Sequence, residues 1–148
     1  MEYEVSKVGA AVDHLDCAIR LFLNHEYVPA ITLAGAAEGL LGTSLAEQSA
    51  HSLLKDALHR QSGVDPAEIS NEHLNKARNF LKHGKQSADE IIYLELEEET
   101  WQLILRAVTN MVTHGNSVPS EAPRFFRWVG EHRPDLPLAD WSRTLNEN

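Results

Sequence analysis

Residues 31–42 (Ile31-Thr32-Leu33-Ala34-Gly35-Ala36-Ala37-Glu38-Gly39-Leu40-Leu41-Gly42) are apolar on nearly every side of a helix and hold one charge, Glu38. A helix without a polar face belongs in the middle of a bundle. The run falls short of the ~20 residues that a bilayer span needs, so it reads as a protein core rather than a membrane segment. Pro29 stands where such a helix begins. The Ala and Gly residues allow a neighbouring backbone to come close, at some cost in helix propensity. Glu38 is expensive to bury alone, so it should meet a cation or titrate upward.

Helices to surround this run are legible on both sides. Val5, Val8, Val12, Leu15, Ile19 and Phe22 recur in steps of three and four, the stripe of an amphipathic helix about six turns long. Ser44-Leu45-Ala46-Glu47 has the form of a capping box opening a third helix through Leu53, Leu54, Ala57 and Leu58, with Gly63 as its stop. Asp65-Pro66 opens another, which continues to Gly84 either directly or after a break near Ser70. Ser87-Ala88-Asp89-Glu90 reads as a further capping box, with helix to His114, strongest over Trp101, Leu105, Val108 and Val112. The alternation Ile92, Leu94, Leu96 fits an extended segment equally well.

The expected fold is an all-α antiparallel bundle of four to five main helices in residues 1–116. A Pro-rich extension, 117–148, follows with a short aromatic helix at Arg124–Val129. That extension is expected to pack on the bundle or a partner subunit, or to end as a loose tail.

Composition narrows the function classes. The net charge of −9 over 148 residues argues against a surface that coats nucleic acid. An acidic start and a single cysteine, Cys17, fit a cytoplasmic protein without disulfides. No metal-ligand spacing, Gly-rich phosphate loop or nucleophile elbow is present, so neither metal nor cofactor is expected.

The charge is segregated. Residues 76–85 carry Lys76, Arg78, Lys82 and Lys85 with no acid, and six acids follow within 89–99. On an ideal helix, with Leu74 at zero, Leu81 and Phe80 fall on the buried side at about 340° and 240°. Arg78, Asn79 and His83 lie on the polar side, at about 40°, 140° and 180°. Asn79 and His83, four apart, can touch; Arg78 and His83 converge only if the helix bends or a second chain completes the site. A guanidinium binds phosphate and stabilises charge developing on it, and an imidazole moves protons near neutral pH. The set suits attack on a phosphodiester, with Lys76, Lys82 and Lys85 to hold substrate.

Arg78-Asn79-Phe80-Leu81-Lys82-His83, after Leu74-Asn75 and with the Ala34–Glu38 helix, resembles the Arg-polar-x-x-x-His signature of the HEPN superfamily of small all-α proteins. The resemblance covers roughly residues 5–115. It implies a homodimeric, metal-independent endoribonuclease, of the kind found in toxin–antitoxin or defence systems, with two motifs meeting at the dimer interface. Arg78 would then stabilise phosphate, His83 act as acid or base and Asn79 orient one of them. An antitoxin or a nucleotidyltransferase-like protein is the implied partner. The alternative is a catalytically silent HEPN module that binds a protein or a nucleotide. Glu38 as support for Arg78 or His83 rests on burial cost alone.

Overall fold

The computed structural model describes residues 1–83, 87–115 and 118–136, and among them the chain is all-helical, with no strand. Helix α1 (Lys7–Leu23) starts behind Ser6, whose hydroxyl accepts from the Gly9 amide, so Val5 stays outside and exposed. The link Asn24–Glu26 turns on His25 in a left-handed conformation, φ 62°, and folds α2 (Tyr27–Leu45) back along α1.

Helix α2 is the central element, packed against α1 and α6 (Leu96–Thr113). Ala30, Ile31, Ala34, Ala37 and Leu41 enter one core with Leu15, Ile19 and Phe22 of α1 and Ile104, Val108 and Met111 of α6. It is longer than its sequence suggests, because Pro29 fits its first turn and the expected capping box at Ser44 does not interrupt it. Among the described residues, Tyr27–Gln48 is the one helical stretch long and apolar enough to cross a membrane, with a mean hydropathy of 1.3.

Several boundaries differ from expectation for local reasons. The chain breaks at Ala46, φ 50°, and passes through a short 3₁₀ turn before α3 (Ala50–Ser62), whose cap is Ser49. Ser49 Oγ accepts from Ser52 N at 3.2 Å, and Ala50 N donates to Asn110 Oδ1 at 2.8 Å. The apolar residues of α3 do not reach the core; Leu53 and Leu54 are exposed.

Asp65 caps α4 (Pro66–Glu68) as its sequence predicts, but the helix then widens into a π-helical segment, Ile69–Leu74, and ends at Asn75. Only then does α5 (Lys76–Lys82) begin. The second expected capping box makes a turn instead of a helix: Ser87 Oγ accepts from Asp89 N, and Glu90 N donates to Ser87 O. Through residues 91–96 the side chains alternate outward and inward, Ile91 and Tyr93 exposed and Leu94 and Leu96 against the core. The extended reading of this stretch therefore prevails over the helical one.

Helix α7 (Ala122–His132) places Phe125 and Val129 in the same core. Phe22 meets Phe125 at 6.0 Å and Trp128 at 4.6 Å, both edge-on, so Phe125 and Trp128 serve packing. At the same end of α1, Tyr27 donates a short hydrogen bond to Glu97 and lies 2.8 Å from His25 Nδ1, tying the α1–α2 turn to the start of α6.

Candidate functional site

The centre of the site is a buried charge cluster between α2, α5 and α6. Glu38 is 3% exposed. Its Oε2 accepts from Arg78 Nη1 at 2.9 Å, and its Oε1 lies 3.4 Å from Arg106 Nε. Arg106, 5% exposed, turns its Nη2 to Leu74 O and Asn75 Oδ1, both at 3.0 Å. Asn110 ties the middle of α2 to the start of α3 by donating to Glu38 O and accepting from Ala50 N. Burial pushes the Arg106 guanidinium down from its usual range while Glu38 opposes the shift.

Arg78 reaches Glu38 by lying along α2. A Cβ on Gly35 would sit 3.0 Å from Arg78 Cγ, Cδ and Nε, and a Cβ on Gly39 would sit 3.0 Å from its Nη2. The small residues of α2 thus make a channel for a side chain here, not room for another backbone. Arg78 keeps 20% of its side chain accessible. It lines a cleft of about 440 Å³ between the end of α2 and the start of α3, and a groove of about 280 Å³ shared with Lys82, Thr32 and Gly35.

The larger cleft also holds His51, on α3, which the sequence reading passed over. Its Nε2 lies 3.1 Å from Ser70 Oγ, and its buried Nδ1 has no hydrogen-bond partner among the described residues. Burial pushes the imidazole below its ordinary value; Glu38 opposes that, and Arg106, Lys55 and Arg78 add to it. The polar groups here largely satisfy one another: Arg78 with Glu38, Asn75 with Arg106, Ser49 with Ser52 and Thr43 with Gly39 O.

His83 and Asn79 open elsewhere. His83 caps the C-terminus of α5 and is exposed; its backbone N donates to Asn79 O at 3.1 Å. Both line a separate cleft of about 370 Å³ with Lys76 and Phe80. Phe80, expected on the buried side, is half-buried and faces this cleft, because within α5 it stands at the edge of the face that Ala77 and Leu81 turn to the core. In one chain, Arg78 and His83 thus face different clefts, and Glu38 serves Arg78 and Arg106 rather than His83. Lys85 lies outside the described residues.

Arg106 was legible in principle. It is the one charge in residues 100–113, as Glu38 is in 31–42, and two lone opposite charges in two apolar helices are expected to meet. Among the described residues no group of three His, Cys, Asp or Glu side chains comes together as a metal site. Compared with protein-family models, curated proteins and solved structures, the chain has no match.

Proposed function

We propose that the chain is a metal-independent endoribonuclease of HEPN type, acting as a homodimer in a toxin–antitoxin or defence module. The observation that supports this is the state of α5. Its Arg78 is held in place by Glu38 yet keeps solvent access, while Asn79 and His83 sit beside an open cleft with no side-chain hydrogen bonds among the described residues. Arg78 would bind and neutralise the scissile phosphate. His83 would take the proton of the attacking 2′-hydroxyl or give one to the departing 5′-oxygen. Because the two side chains diverge within one chain, the complete site pairs Arg78 of one copy with His83 of the other.

The test is cleavage of generic RNA in chelator, with end-group analysis. Wild type yields 2′,3′-cyclic phosphate ends. Arg78→Ala and His83→Ala each abolish them, and mixing the two folded variants restores part of the activity through composite sites. No cleavage by folded wild-type dimer at any pH overturns the proposal. The engagement of Arg78 with Glu38 favours a second reading, a silent module in which the pair only fastens α5 to α2.

A further inference from the structure

The two larger clefts differ in one respect that bears on ligand binding. In the α2–α3 cleft Thr43, Ser49, Arg78, Glu38 and Asn75 already make their side-chain hydrogen bonds within the protein. In the α5 cleft Asn71, Asn79, Lys76 and His83 make no side-chain hydrogen bond among the described residues. Phe80 forms one wall with Ile92, and neither belongs to the core cluster or to the residues packed on it. Phe80 also has no aromatic partner among the described residues. An aromatic ring that the core leaves aside, flanked by two amides and an ammonium, is a flat apolar surface with hydrogen-bonding groups at its edge.

We infer that the α5 cleft binds one unpaired nucleobase, stacked on Phe80, with Asn71 and Asn79 on its polar edge. Aromatic stacking with amides at the base edge is the general way in which single strands are held. The volume of about 370 Å³ admits a single base. Glu72 also lines the cleft, and its carboxylate can accept only from donors, which a base offers and a phosphate diester does not. Lys76, on the same wall, suits the adjoining backbone phosphate. The choice of RNA as the natural strand rests on the ribonuclease reading; the stacking site itself does not.

The experiment is fluorescence anisotropy with a labelled 2′-O-methyl RNA hexamer, which cannot be cleaved, in single-stranded and duplex form. Wild type binds the single strand and prefers it to the duplex. Phe80→Leu weakens single-strand binding about tenfold while the fold is retained by circular dichroism, and Phe80→Trp restores it. Equal binding by Phe80→Leu, equal binding of the duplex, or no binding by wild type overturns the inference. Phe80-dependent binding without cleavage of ordinary RNA by wild type leaves the base site standing and removes the nuclease. Cleavage with binding indifferent to Phe80 does the reverse.

Discussion

Glu38 and Arg106, the lone charges of two apolar helical stretches, face each other across the α2–α6 contact, with Arg106 Nε 3.4 Å from Glu38 Oε1. Arg78 adds a second guanidinium to the same carboxylate. Removing the carboxylate deprives two cations of their shared counter-charge, one of them deeply buried. Glu38→Gln should therefore destabilise the fold by about 3–5 kcal/mol in urea unfolding. Glu38→Gln combined with Arg106→Ala should cost less than the two single losses added together. A loss below about 1 kcal/mol for Glu38→Gln would show that the cluster contributes little to stability.

The channel for Arg78 gives a pair of opposed glycine substitutions. Gly35→Ala puts a methyl group 3.0 Å from the middle of a side chain that its ion pair holds in place. The clash outweighs the gain in helix propensity, for a net loss of about 1–2 kcal/mol. Gly130→Ala, at an exposed position of α7 with nothing within 4 Å of the new Cβ, should stabilise by roughly 0.5–1 kcal/mol. Thermal melts of the two variants should move in opposite directions; a stabilised Gly35→Ala would mean that Arg78 leaves its channel without cost.

His51 makes stability sensitive to acid. Burial holds its folded pKa below the unfolded value of about 6.5. The unfolded chain therefore binds the proton first as pH falls. The stabilisation from the neutral ring is present above about pH 6.5 and is lost as pH drops from there through the folded pKa. His51→Gln should flatten the dependence of unfolding free energy on pH between about 7 and 5. An unchanged slope would assign the acid sensitivity to other groups.

How far the fold could be read depended on whether the governing signal was local. The stripe from Val8 to Phe22 and the Asp65-Pro66 cap carry their own instructions, and the structure follows both. Ser44-Leu45-Ala46-Glu47 carries an equally good local instruction that the structure does not use: α2 ends at Leu45, the chain breaks at Ala46, and Ser49 caps α3 instead. The start of α5 was not legible either. It depends on a π-helical segment and on Asn75, which is fixed by Arg106 from a helix more than thirty residues away. Within α5 the helical wheel places Ala77 and Leu81 against the core, and Phe80, at the edge of that face, goes to the cleft. Glu38's need for a cation followed from burial alone; that two guanidiniums answer it requires knowing which helices touch.

Tyr27 supplies the alkaline counterpart. Burial, its hydrogen bond to Glu97 and the charge of that carboxylate push its phenol up to about 12. The unfolded phenol ionises near pH 10, so the folded state holds its proton over an interval in which the unfolded chain has released it. The stabilisation is complete below about pH 10 and is lost as pH rises from there toward 12. Because Tyr27 joins the α1–α2 turn to the start of α6, its ionisation sets two negative charges against each other at that junction. Tyr27→Phe lacks the ionisable group and the bond, so it should be less stable than wild type at pH 9. It should then lose less stability than wild type between pH 9 and pH 11. Chemical unfolding at the two pH values decides this: parallel losses in both proteins would show that the Tyr27–Glu97 bond does not govern the alkaline limb.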